Sequence, residues 1–292
     1  MLKITKATEP LNITTIVTCI YGLPYSGKTS LASSSEDSLL LDFDMGAQRS
    51  DFRGDVVRIT DWNDVAQLAQ SDLAPYKTII VDTAGGCLKT LSLDIIRANS
   101  KMGFNGSLTM QGYGQLKGRF DAWVTYLRSF KMDIIFVAHT DEKEEGATTK
   151  ERIIAPGSSR NLIYEQADLM GKLWFSNGSR TVSFDPTDTS FGKNPAKIPA
   201  QAVPDLAISP RFFAGIIART KDSLNKMDAK NSEARELVEQ WRVCFERCQT
   251  AEDFNILFPK AKETKNKTIS AMMVAAAKKL GFKFDKAKGV FE

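Results

Sequence analysis

The chain has 292 residues, 42% of them hydrophobic and 25% charged, with 39 Lys/Arg against 35 Asp/Glu and a formal net charge of +4. This is an ordinary composition for a globular chain long enough to bury a full core, as one large α/β domain or one domain with an appendage. No apolar run approaches the length of a bilayer span, and the opening Met1-Leu-Lys-Ile-Thr-Lys6 lacks the apolar stretch of a secretory signal, so neither a membrane protein nor an exported one is expected.

The first element is an apolar strand from Ile13 that runs into Gly22-Leu-Pro-Tyr-Ser-Gly27-Lys28-Thr29-Ser30. This is the GxxxxGK[ST] phosphate-binding loop, opening a helix. Gly22 and Gly27 allow backbone angles that a β-carbon forbids, so the N–H groups of Leu23, Pro24's neighbours Tyr25 and Ser26, and the residues through Ser30 can converge on a phosphate. Lys28 reaches the β/γ-phosphates, and Thr29 offers its hydroxyl to Mg²⁺ at the helix start. A second strand, Leu39 to Asp44, and a third at Asp55 to Ile59 follow, then a helix over 61–73 capped by Thr60 or Asp61. Tyr76 to Asp82 is an apolar strand ending in a carboxylate, the form of a Walker B element, which places Asp82 to hold Mg²⁺ through water.

Residues 100–119 are glycine-rich, and a helix follows from Phe120 through Arg128. Met132 to His139 reads as another strand buried on both faces. His139, the one histidine, ends the strand after Walker B, where ligands of open α/β sheets sit, and is expected to sense the γ-phosphate. Residues 141–160 read as a hairpin or mobile loop, acidic at first. Leu169 to Phe175 and Arg180 to Phe184 flank Asn177-Gly178, a strong hairpin turn signal, which makes the sheet mixed. Residues 185–210 are a connector rich in Pro and polar residues. Beyond it the pattern turns helical: an apolar stripe over Ser232–Cys248, a capping-box start at Thr250 for a short helix ending near Pro259, a helix from Thr268 to Leu280 with Gly281 as cap, and a small terminal hairpin.

Cys19, Cys87, Cys244 and Cys248 show no zinc-type spacing beyond the helical pair Cys244/Cys248, and are expected as reduced thiols packed inside a cytoplasmic protein. From Arg219 onward there are 16 Lys/Arg and 11 Asp/Glu, a net +5 that leaves −1 for the rest. Such a tail, most basic at Lys260, Lys262, Lys265 and Lys267 and again at Lys278/Lys279, suits an anionic partner.

With the phosphate loop, Asp42/Asp44, Asp82-Thr83 and His139 in this order, residues 10–205 resemble the RecA-like ATPases, and among them the compact phage-encoded single-strand annealing recombinases of the Sak group. The resemblance implies an α/β fold with a mostly parallel central sheet flanked by helices over residues 1–210, followed by a small, mainly helical, basic C-terminal domain over 211–292. It implies ATP and Mg²⁺ as ligands, DNA-stimulated hydrolysis, and single-stranded DNA as partner. It also implies self-assembly into a filament or ring, a single-strand-binding protein as a further partner, and the host-cell cytoplasm as location. Carried over by position, Asp44 becomes the general base that orients the attacking water, with Asp42 in reserve, where the family often has Glu. His139 matches the polar sensor. Gly192-Lys193-Asn-Pro-Ala-Lys197 is similar to the stretch by which such protomers reach a neighbour's ATP, so Lys193, with Lys197, would act in trans. Residues 102–115 and 141–160 fall where the family has its DNA-contacting loops. The acidic run Asp141–Glu145 repels phosphate, which leaves Lys101, Lys117, Lys150, Arg152 and Arg160 for the backbone and Phe104 and Tyr113 for base stacking. The alternatives are a nucleotide or small-molecule kinase, which would need an arginine-rich lid that the sequence lacks after Asp82, a helicase- or packaging-type motor, and a non-catalytic ATP-gated scaffold.

Overall fold

In the computed structural model, which describes residues 4–145, 148–157 and 159–292 and only the backbone of 142–145 and 148–150, the continuous apolar runs become the centre of a sheet. In chain order the elements begin with β1 (Val17–Gly22), α1 (Lys28–Ser33), β2 (Ser38–Asp42), β3 (Asp55–Arg58), α2 (Asn63–Ala66), α3 (Gln70–Leu73), β4 (Thr78–Asp82) and α4 (Ala84–Ala98). Then come β5 (Gly103–Phe104), β6 (Ser107–Leu108), α5 (Met110–Ser129), β7 (Asp133–Glu145), β8 (Thr148–Ile153), α6 (Arg160–Gln166), β9 (Leu169–Ser176), β10 (Ser179–Ser183) and β11 (Gln201–Ala202). The chain closes with α7 (Phe212–Glu246), α8 (Ala251–Glu263), α9 (Lys267–Lys279), β12 (Phe284–Asp285) and β13 (Val290–Phe291).

Among the described residues the main sheet runs β11-β10-β9-β1-β7-β4-β2-β3, with β8 paired to the outer part of β7. From β9 to β3 all neighbours are parallel, and β10 and β11 extend one edge antiparallel. Every residue of β1 and of β4 is buried because helices cover both faces. The period of two sorts the side chains: Val17, Cys19, Tyr21, Val81, Ile134 and Phe136 pack with α4 and α5, whereas Ile16, Ile20, Leu40, Ile80, Ile135 and Val137 pack with Leu31 of α1 and with Phe213, Ile216 and Ile217. This is the mostly parallel, helix-covered sheet with a helical C-terminal region that the sequence predicts.

The chain divides into two compact units, Ile13–Leu224, and the N-terminal segment to Asn12 with Asn225–Glu292. The sequence puts the boundary at 210. The difference has a physical cause: the first turns of α7 carry Phe213, Ile216 and Ile217, which are core residues of the larger unit. The smaller unit has its own core, in which Phe245, Phe254, Ile269, Met273 and Phe291 are buried.

Other elements also differ from expectation. The glycine-rich stretch is a hairpin, β5–β6, followed by a helix that begins at Met110, ten residues before Phe120. Thr109 caps it by accepting from the Gly112 N–H, and Gly112 is there because a β-carbon would lie 2.4 Å from the Met102 carbonyl oxygen. The helix expected over 61–73 is two single turns, and Arg160–Gln166 is a helix that periodicity misses. The stripe at 232–248 is the end of a 35-residue helix. The capping box at Thr250 forms as expected, yet α8 passes through Pro259 to Glu263, since stopping at the proline would leave Ala261 out of the core it fills.

Phe120 is fully buried, 6.2 Å from the Trp123 ring and 5.9 Å from Phe136. Phe120→Ala should lower the free energy of unfolding by about 3–5 kcal/mol, read from the midpoint of a urea titration.

Candidate active site

Parallel pairing brings the candidate residues to one edge. Gly22 is in register with His139, Asp82 with Val137, and Asp42 with Asp82, so β1, β7, β4 and β2 present their carboxyl ends side by side. The phosphate loop leaves β1 at this edge. Gly22 cannot be another residue, because a β-carbon there would stand 2.2 Å from the Leu173 carbonyl oxygen, and Gly27 holds φ +93°, in the left-handed region. Lys28 is buried, its ammonium donating to the Leu23 carbonyl oxygen at 2.8 Å. Burial pulls its pKa down to about 8, against the opposing pull of Asp82.

Thr29, in the first turn of α1, donates from Oγ1 to Oδ2 of Asp82 at 2.6 Å. Burial raises Asp82 to about 6, with the Thr29 hydrogen bond and the Lys28 charge working the other way and the neighbouring Asp44 and Asp42 adding to the rise. Two protein oxygens held together beside a phosphate cradle form a donor set that fits Mg²⁺, which is commonly bound by few protein groups together with phosphate oxygens and water. The carboxylates at the end of β2 and two residues beyond it both line the cavity but hold different partners. Asp42 is buried and accepts the N–H groups of Gly46 and Ala47 at 2.9 and 3.0 Å, so it shapes the loop. Asp44 faces the cavity, accepts the Thr83 hydroxyl at 2.8 Å and lies 3.8 Å from His139 Nε2. Thr83 in turn accepts the Gly86 N–H at 3.1 Å, and a β-carbon on Gly86 would lie 2.3 Å from Asp44 Oδ1, so the start of α4 is cut to admit that carboxylate.

A family model for the AAA domain matches residues 14–196. The chain belongs to the AAA domain family. The larger unit is thus a P-loop NTPase domain, and the loop, Thr29–Asp82 and Asp44–His139 lie at the end of its sheet where such domains take nucleotide. No curated protein matches the chain. Among solved structures it is similar to the RadB recombinase at 14% identity, over 57% of this chain and 79% of that chain, with a TM-score of 0.36.

The AAA domain's cavity, about 330 Å³, is lined by Lys28, Thr29, Asp44, Asp82 and His139. Burial, with the charge of Lys28, lowers the His139 pKa while Asp44 works to raise it, and its buried Nδ1 has no hydrogen-bond partner, which leaves Nε2 as the nitrogen facing the site. Two further cations line this cavity that sequence reasoning missed, Arg49 from the turn after β2 and Arg180 from β10. No motif marks either one; only the pairing of β10 with β9, and of β9 with β1, carries Arg180 to the phosphate loop.

Lys193, expected to act in a neighbouring site, is engaged within its own chain. Its ammonium donates to the carbonyl oxygens of Tyr164 and Ala167, both at 2.7 Å, while its backbone bridges Met170, so it fastens the end of α6 to β9 within its own chain. Lys197 is exposed. Of the residues assigned to DNA, Lys101 is exposed, Lys117 lies 4.0 Å from Glu165 of α6, and Arg160 begins that helix, with its guanidinium on the Gly157 carbonyl oxygen at 3.4 Å. Arg152 is half-buried on β8, and the side chain of Lys150 lies outside the described residues. Tyr113 is half-buried beside Gly157, whereas Phe104, beside the tip of the β5–β6 hairpin, is 74% exposed.

The two shifted groups set a pH window. Below about pH 6 Asp82 takes up a proton and loses its attraction for a cation, and above about pH 8 the Lys28 of the empty site gives up the charge that holds phosphate. Binding of Mg²⁺-nucleotide, followed by calorimetric titration at pH 5.5, 7 and 9, should be tightest at pH 7 and fall on both sides.

Proposed function

We propose that this chain is an ATP- and Mg²⁺-dependent recombinase of RecA-like type, akin to the phage Sak group, that binds single-stranded DNA and promotes annealing or strand exchange. The observation that carries the nucleotide half of this reading is the single cavity holding Lys28, Thr29, Asp82, Asp44 and His139. In it, Lys28 and the loop N–H groups would hold the triphosphate, and Thr29 with Asp82 would hold Mg²⁺, which supplies charge neutralisation when bound. Asp44, steadied by Thr83, would orient the attacking water and take its proton as oxygen bonds to the γ-phosphorus and ADP departs. His139, on the strand that runs on into the β7–β8 hairpin and 3.8 Å from Asp44, would report the γ-phosphate to that hairpin.

The DNA half is supported by the resemblance, by the exposed Phe104 near Lys101, and by the exposed lysines of the smaller unit at positions 260, 262, 265, 267, 278 and 279. An aromatic ring free to stack and cations free to meet phosphates are what a sequence-tolerant single-strand binder uses. Self-assembly into a filament or ring, and association with a single-strand-binding protein, belong to this reading.

Lys28→Ala should abolish ATP binding and leave the far-ultraviolet dichroism unchanged; retained affinity would refute the nucleotide assignment. ATP turnover by the intact chain should rise several-fold on addition of single-stranded DNA, and turnover indifferent to DNA would count against the recombinase. Phe104→Ala should weaken DNA binding by about 1–3 kcal/mol in a fluorescence anisotropy titration, the worth of one stacked base.

A further inference from the structure

We infer that Arg180 is a phosphate-binding residue acting within its own protomer, holding the inner, α/β part of the triphosphate where it leaves the phosphate loop. The inference rests on the nucleotide reading above and adds to it a residue that no motif or family match assigns. Arg180 packs against the loop: a β-carbon on Gly27 would come within 2.6 Å of its Nε and 2.8 Å of its Cδ. Gly27 is the residue from which α1 starts, and the N–H groups of a helix's first turn are the donors that face phosphate. A guanidinium against that turn adds a forked donor to the same oxygens.

Its location selects the inner phosphates over the γ-phosphate. Arg180 lines the phosphate cavity and also a second cavity of about 370 Å³, which shares Gly27, Ser30 and Asp51 with the first and continues to Phe52, Phe175 and Val203–Ala207. Asp44 and His139, the groups placed for the reacting end, line the first cavity only. The guanidinium therefore stands at the passage between the two, at the end of the loop away from the attacking water.

The strand presents it rigidly and leaves its charge available. Arg180 pairs with Phe175 across the β9–β10 hairpin, and its carbonyl accepts the Val203 N–H at 2.8 Å. The hairpin turn is Asn177-Gly178 with φ of 51° and 78°, the tight two-residue form. The head group lies 6.0 Å from the Phe175 ring, and the carboxylate it meets, Asp51, is 4.0 Å away and 89% exposed, a pair weak enough to give way to phosphate. The chain thus supplies from β10 a further cation beside Lys28 and Arg49, while Lys193 stays bound to its two carbonyls.

The test is binding of MgATP and of MgADP to the full chain by calorimetry, for wild type, Arg180→Ala and Arg180→Lys. Arg180→Ala should weaken both nucleotides by about tenfold, the worth of one charge-assisted contact, and leave the ratio of their affinities unchanged; Arg180→Lys, with a charge but no fork, should fall between. Affinities within twofold of wild type in Arg180→Ala, or a loss confined to MgATP, would overturn the inference. Should Arg180→Ala fail to reproduce the wild-type thermal melt, Arg180→Lys decides: wild-type affinity for both nucleotides then counts against the inference, and a shared loss supports it. A wild-type chain that binds neither nucleotide removes the nucleotide reading itself, which separates that failure from the failure of Arg180 alone.

Discussion

The register of the parallel strands is the constraint on which the rest of this molecule depends. Because Gly22 pairs with His139 and Asp82 with Val137, residues far apart in the chain end their strands on one line. A slip of one residue in any pair would turn each of the buried side chains to the opposite face and would carry the catalytic candidates off the edge. The apolar residues of β1, β4 and β7, buried on both faces, are therefore what positions the chemistry, although none of them takes part in it.

The site built on this edge is electrostatically tense by design of its burial. Lys28 and Asp82 are both removed from water, and each is pushed toward its neutral form. A phosphate beside the lysine and a cation beside the aspartate would relieve both penalties together, and so would couple the binding of the two. Thr29 and Thr83 hold the carboxylates in place: each donates its hydroxyl proton to one of them, Asp82 and Asp44 respectively. The glycines serve the same end by absence. Gly22 makes room for the β9 backbone, Gly27 for Arg180, and Gly86 for Asp44.

The smaller unit follows different rules. Its short helices and terminal hairpin bury a cluster of aromatic rings, Phe245, Phe254 and Phe291 among them, and its lysines remain in solvent. Apolar area drives its folding and its lysines stay at the surface, in contrast to the larger unit, where charges are drawn into the fold.

Short-range chemistry in the sequence was enough to determine the strand–loop–helix of residues 13–30, the carboxylate ending β4, the hairpin at Asn177-Gly178, the capping box at Thr250 and the cap at Gly281, because each depends on a few adjacent residues. What lay beyond it were facts that depend on which segment packs on which. Glycines 112, 114 and 118 read as a loop, yet they sit in a helix held by Thr109 and by packing on α4. Asp42 and Asp44 are alike on paper and both line the cavity, and only their partners separate them, the backbone N–H groups of Gly46 and Ala47 for Asp42 and the Thr83 hydroxyl for Asp44. Lys193 sits in a suggestive motif but meets two carbonyls brought by α6, and Arg180 sits in none but is delivered to the phosphate loop by strand pairing. Such partners are contributed by distant parts of the chain, and their positions exist only once the sheet has closed.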